Sequence, residues 1–111
     1  MLKLGSKIIL NNLNFANTFL QRLFGLMFKK YIPEDFGLCF PKCTQIHTFF
    51  MLTNIDVIFL DENKKIVKIY QDLKPMRITK YIKEGKKGFV IETFSGFSKK
   101  YNLSNGDKLE F

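Results

Sequence analysis

Soft metal donors are scarce in this chain: one histidine, His47, and two cysteines, Cys39 and Cys43. No second histidine and no second cysteine pair can complete the four ligands of a structural zinc site. On an extended segment Cys43 and His47 would stand about 13 Å apart, at ~3.3 Å per residue, too far to share one ion. Met27, Met51 and Met76 could add thioethers for copper, but methionines at apolar positions read as packing. No metal and no cofactor are expected. The two cysteines lie close together in a chain that does not need a staple, so they are read as reduced thiols.

Long apolar runs are absent as well. Nothing approaches the roughly 18 to 20 residues of a membrane span. Asn11, Asn12 and Asn14 interrupt the lysine-containing N-terminal stretch, and no A-x-A-like cleavage site follows. The expected compartment is the cytoplasm. No G-x-G-x-x-G, P-loop, H-E-x-x-H or G-x-S-x-G spelling occurs, which removes the usual nucleotide, zinc-protease and serine-hydrolase readings.

Arginine occurs only at Arg22 and Arg77, although the net charge is +8. The lysines are spread from Lys3 to Lys108 without a Gly/Arg-rich or basic-aromatic run, so they read as a solvated basic surface and nucleic acid is not expected as a partner. Where lysine is the default cation, the two arginines point to a need for a planar fork of donors, for an ion pair or for a ligand.

What is present is a 111-residue chain, 46% hydrophobic, enough for one core and read as a single domain over 1–111. LKLGSKIIL spells strand, Gly5-Ser6 turn and strand. Thr18 to Gln21 spells a capping box, and Leu20, Leu23, Phe24 and Met27 recur at helical spacing, predicting a helix over 18–28. Gln45 to Leu52, Ile55 to Asp61 and Lys65 to Gln71 read as three consecutive antiparallel strands joined at Thr53-Asn54 and Glu62-Asn63-Lys64. Gly88 to Phe94 reads as a further strand, Ser95 as the cap of a short helix over 96–103, and NGDKLEF as a turn and last strand.

The hairpin register then sorts the side chains. With 52 opposite 55, 50 opposite 57, 59 opposite 67 and 57 opposite 69, Ile46, Thr48, Phe50, Leu52, Ile55, Val57, Phe59, Val67 and Ile69 form a core face. His47, Phe49, Met51, Asp56, Ile58, Leu60, Ile66, Lys68 and Tyr70 fall on the other. That second face calls for partial cover by a helix or by closure, and a pocket is expected there or on its rim. A His47–Asp56 dyad is too widely spaced for a hydrogen bond. Asp56 suits an arginine or backbone amides, Glu92 an outward position or an arginine, and Cys43 is the candidate reactive thiol.

Taken together, A-x-T-x-x-x-R-x-x-G-L-M from Ala16, C-x-x-I-H-T-F-F-M from Cys43, N-I-D-V-I-F-L-D from Asn54, L-K-P-x-R from Leu73, the I-E pair at Ile91-Glu92 and G-D-x-L from Gly106 closely resemble the domain of unknown function 192 family over nearly the whole chain. The resemblance implies a mainly β (α+β) fold: a compact, partly closed, barrel-like antiparallel sheet with one or two short helices packed on it. It brings no activity, ligand or cofactor. Positions matching the family's polar signature are Arg22, Cys43, His47, Thr48, Asp56, Arg77 and Glu92. The chain departs from the pattern at Met76, where many relatives have tryptophan, at Lys64, where the turn usually has glycine, and at Thr93-Phe94-Ser95, where a small-residue and proline spelling is common. A positive φ at Asn63 would make the Lys64 change tolerable.

The function expected from these residues is an accessory or binding module rather than an enzyme. It would hold a small polar or anionic molecule, or a protein partner's peptide, near Arg22, His47, Thr48 and Arg77, with Asp56 and Glu92 beside them. Two alternatives stand: an enzyme using Cys43 or His47, and a structural domain in which Arg22, Asp56, Arg77 and Glu92 form an internal ion-pair network.

Overall fold

The run IDVIFL, five apolar residues around one aspartate, is buried at every position. It forms an inner strand of the computed structural model, which describes residues 1–18, 21 and 25–111. Among the described residues eight strands form: β1 (Leu2–Leu4), β2 (Lys7–Leu10), β3 (Asn12–Phe15), β4 (Phe36–Pro41), β5 (Ile55–Leu60), β6 (Ile66–Leu73), β7 (Phe89–Phe94) and β8 (Leu109–Glu110). They make a three-stranded sheet, β2-β1-β8, and a five-stranded sheet, β3-β4-β7-β5-β6. Only one helical turn of α type, Phe97–Lys100, and one 3-10 turn, Lys83–Lys86, are described.

Alternation along β5 explains its burial. Ile55, Val57 and Phe59 enter one apolar cluster with Phe40, Ile46, Met51 and Val90, while Ile58 and Leu60 enter another with Leu2, Leu10, Ile91, Phe97 and Leu109. The second cluster lies where the three-stranded sheet and the short helix cover the larger sheet. Each such side chain contributes roughly 1.5–3 kcal/mol when it leaves water. The mainly β class therefore holds, and the second sheet face is covered as its apolar content requires.

Closure does not occur. The two sheets stay separate, with β3 and β6 as free ends of the larger one, and β3 runs parallel to β4 instead of antiparallel. Strand β3 was not legible in its polar sequence; it is held by Asn12 N donating to Asp35 O and by Ala16 N donating to Cys39 O.

The three-strand meander is also corrected. The edges of β5 are occupied by β7 and β6, so 45–52 has no place to pair beside it. That segment is instead an irregular ribbon joined to 77–82 through Thr48 N to Arg77 O, Thr79 N to Ile46 O and Ile82 N to Thr44 O. Phe50, assigned to the core by the hairpin register, turns outward at φ 62°. Phe50 and Leu52 are exposed, whereas Ile46 and Thr48 are buried. The β5–β6 register is also displaced: Phe59 faces Lys68 and Val57 faces Tyr70, with a bulge between Phe59 and Leu60. That bulge sends Ile69 toward the Ile58 cluster while Val67 packs with Phe59's.

Turn positions differ in detail. Lys64 itself, not Asn63, takes the left-handed conformation, φ 65°. Asp61 Oδ1 stabilises that turn by accepting from the amides of Asn63 and Lys65. The capping box exists: Gln21 N donates to Thr18 Oγ1, and Gln21 Oε1 accepts from the Asn17 and Thr18 amides. The body of the helix expected over 18–28, including Arg22, lies outside the described residues; Gly25 to Phe28 form a turn.

Candidate functional site

A cavity of about 220 Å³ opens on the Phe59 side of the large sheet, lined by Gly25, Leu26, Met27, Phe40, Cys43, Gln45, Ile46, His47, Met51 and Glu92. Glu92 stands on β7 between Leu38 of β4 and Val57 of β5. It shares the face of Val90, two residues away, so strand alternation aims it into the cavity. Phe40 of β4 forms a wall. The roof is the irregular ribbon, and the third side is the turn at Gly25.

Gly25 has a reason to be glycine. Its φ is +47°, and a Cβ there would lie 3.3 Å from Phe40 Cζ and 3.7 Å from Glu92 Oε1. A side chain would be strained and would crowd the carboxyl. Gly85 positions the ribbon from behind, because a Cβ on it would sit 1.9 Å from Cys43 O. Gln45 Nε2 donates to Thr79 O at 2.9 Å, and Ile46 N donates to Thr79 Oγ1 at 3.0 Å.

Glu92 is 4% exposed. Burial pushes its carboxyl up to about 8, so the neutral acid prevails near pH 7 and can donate as well as accept. No hydrogen bond to this carboxyl is made among the described residues. His47 is exposed at the rim, its ring 5.0 Å from that of Phe49. His47 Nδ1 accepts from Phe49 N at 3.3 Å; in the neutral ring that acceptor role leaves the proton on Nε2. Cys43 Sγ donates to Gln45 O at 3.3 Å.

The structure thus unites three of the residues singled out from sequence, Cys43, His47 and Glu92. Cys43 and His47 share the wall of one cavity. The other residues lie elsewhere. Asp56 is fully buried and its carboxylate accepts from the Asp72, Gly96 and Ser98 amides and from Ser98 Oγ. Among the described residues its partners are backbone amides and the Ser98 hydroxyl, not an arginine, and Asp56 rather than Ser95 caps the short helix. Thr48 is buried under the 74–77 loop, its hydroxyl donating to Lys74 O at 2.7 Å and accepting from Arg77 N at 2.8 Å. Arg77 is exposed and its Nη1 donates to Pro75 O and Met76 O. It pairs with neither Asp56 nor Glu92, so the internal network linking these three is not formed; Arg22 is outside the described residues.

Among the cavity residues not singled out from the sequence are Gln45, Met51, Phe40 and Met27. Two of them sit inside CTQIHTFFM, where the expected strand pattern put Met51 on the His47 face but its thioether was read as packing, and Gln45 was passed over. No helix among the described residues is long and apolar enough to cross a membrane.

Comparison with known proteins agrees with the fold. A UPF0127 protein of Pyrococcus horikoshii is 40% identical over 102 residues, which are 86% of this chain and 84% of that protein. Two solved structures share the architecture. A protein of unknown function from Novosphingobium aromaticivorans has TM-score 0.77 at 22% identity, covering 89% of this chain and 74% of that one. A proposed transcription regulator from Sinorhizobium meliloti has TM-score 0.75 at 23% identity, covering 88% and 79%. At such identities these two show the fold alone. The model of the family DUF192, described as "Uncharacterized ACR", matches residues 3–111, and with the Pyrococcus relative it establishes that this chain belongs to the DUF192 family.

Proposed function

We propose that the domain is a binding module whose cavity takes a small amine with an apolar body. The observation that carries this reading is Glu92: a carboxyl 4% exposed that lines an open cavity instead of an ion pair among the described residues. The described lining contains no lysine or arginine, in a chain of net charge +8. Its remaining polar contributions are the Gln45 amide, the His47 ring and the Cys43 thiol. The Phe40 ring and the Met27 and Met51 thioethers suit an alkylammonium, through the ring quadrupole and polarizable sulfur. Among the described residues the wall offers no cation to an anionic ligand, and Arg77 is outside it.

About 220 Å³ is room for a metabolite of modest size, below the usual drug-sized pocket. An ammonium entering beside Glu92 favours the carboxylate, so below about pH 8 the side chain releases a proton as the amine binds. Affinity then rises with pH up to that range. His47 and Cys43 are the other described titratable groups on the cavity and are read out by His47→Gln and Cys43→Ser controls.

Calorimetry with a panel of small alkylamines and matched carboxylates tests the reading, at two buffers of different ionisation enthalpy. Amines should bind with proton release, and Glu92→Gln should abolish both. Preference for carboxylates, or amine binding unchanged in Glu92→Gln, would sink it. The shared cavity also keeps a Cys43–His47 reaction in view, which thiol alkylation addresses.

A further inference from the structure

Beside the cavity three loops, 26–31, 47–52 and 74–81, are bonded into one cluster. Phe28 N donates to Phe50 O at 3.0 Å, Met76 N to Thr48 O at 3.1 Å and Thr48 N to Arg77 O at 2.8 Å. The cluster shows water an apolar surface: Phe28, Phe50, Leu52, Met76, Ile78 and Tyr81 are each 50–62% exposed. Phe28 and Phe50 stand together with ring centroids 6.0 Å apart. Isolated exposed apolar residues are ordinary, but a contiguous group on bonded loops marks an interaction site.

The backbone adds a second sign. Phe28, Phe50 and Met76 all have left-handed φ, 65°, 62° and 61°. Bulky residues adopt that conformation at a cost, and such strain collects where a side chain is held out for recognition.

The charge on these loops is of one sign. Lys29, Lys30, Lys74, Arg77 and Lys80 are exposed, and LMFKKY, HTFFML and KPMRITKY contain no aspartate or glutamate. Cation and apolar side chain alternate along the chain, as in Phe28-Lys29-Lys30 and Met76-Arg77-Ile78. A partner must therefore be anionic and apolar at nearly the same depth everywhere. Nucleic acid supplies the phosphates but no apolar phase for Leu52, Met76 and Ile78. The boundary between headgroups and acyl chains of an anionic bilayer supplies both.

We propose that this loop cluster docks the domain on an anionic membrane surface, with Phe50 and Met76 entering the headgroup boundary and the five cations facing lipid phosphates. Association is peripheral and adjoins the Glu92 cavity, to whose wall these loops lend Leu26, Met27, His47 and Met51.

The chain has no tryptophan, so Phe50→Trp gives a single indole, excited apart from the tyrosines, at the proposed point of entry. With vesicles of phosphatidylglycerol and phosphatidylcholine its emission should shift to the blue and be quenched by bromine-labelled acyl chains; phosphatidylcholine alone should do neither. Co-sedimentation of the unaltered chain should fall as salt rises. Neutralising one of these cations should weaken it roughly fivefold, and Lys29→Glu with Lys74→Glu further still. Phe50→Ser with Met76→Ser should also release the protein, and Lys65→Glu with Lys108→Glu, outside the three loops, should matter much less. All these side chains are exposed, and a thermal scan checks each fold. Three results would overturn the proposal: no co-sedimentation of the unaltered chain, equal losses in the two charge-reversal pairs, or binding to polyglutamate or RNA in place of vesicles.

Discussion

Ser98 Oγ donates to Asp56 Oδ2 at 2.6 Å across a sequence separation of 42 residues. The same carboxylate receives the amides of Asp72, Gly96 and Ser98 at 2.9, 3.1 and 2.9 Å. One buried anion thus ties β5 to the end of β6 and to the start of the short helix, without any cationic side chain among the described residues.

Removing that anion leaves three amides without their acceptor. Asp56→Ala is expected to cost about 3 kcal/mol or more, because each unmet buried donor loses its hydration as well as its bond. Asp56→Asn keeps one oxygen and should cost less; Ser98→Ala should cost about 1 kcal/mol. Urea unfolding measures all three. A loss under about 1 kcal/mol for Asp56→Ala would mean that water replaces the carboxylate and the cap is dispensable.

Glu92 makes stability depend on pH in a stated direction. Its folded value is raised from 4.5 to about 8, so between these limits the folded state binds more proton than the unfolded one. Its contribution is fully present below about 4.5, declines as pH rises, and is lost once pH passes about 8. Glu92→Gln removes the desolvated acid and should be more stable than the parent above neutrality, by roughly a few kcal/mol near pH 9. Unfolding curves of both proteins from pH 5 to 9, roughly this window, decide it; parallel curves would mean the carboxyl is solvated.

The thiols should behave differently. Cys39 is wholly buried, and burial pushes it up to about 12. Cys43 is half-buried on the cavity. Iodoacetamide followed by peptide mass mapping should modify Cys43 and spare Cys39 in the folded chain. Alkylation of Cys43 much faster than a free thiol, and slowed by His47→Gln, would favour the enzymatic reading over the binding module.

Glycines give a steric contrast. Gly85→Ala drives a Cβ to 1.9 Å from Cys43 O, whereas a Cβ on Gly106 meets nothing within 4 Å despite φ +95°. The first should be severely destabilising and should distort the ribbon over the cavity; the second should cost about 1 kcal/mol, the strain of the backbone alone. Equal melting temperatures would show that the ribbon moves aside freely.

Local patterns carried much of the fold. Gly5-Ser6 between two short β runs, the alternation in IDVIFL, the Thr18–Gln21 capping box and the Gly88 to Phe94 strand all depend on nearest-neighbour chemistry and were legible. The candidate site was legible only in part. Glu92 stood out because a charge interrupts FVIETF, and Cys43 and His47 because they are rare; nothing in the spacing told that they share a wall with Phe40 and Met51.

Sequence by itself therefore determined the composition of each element: which runs could be strands, that their apolar content demanded cover on both faces, and which few groups could do chemistry. Tertiary structure alone decided the pairing. Strand β7 returns from far along the chain to take the edge of β5 that a local hairpin with 45–52 would have used, because an antiparallel strand has two edges and no memory of which neighbour came first. Displaced from the sheet, CTQIHTFFM became an irregular ribbon instead of a strand. That displacement put Cys43 and His47 over Glu92 and turned Phe50 out toward water.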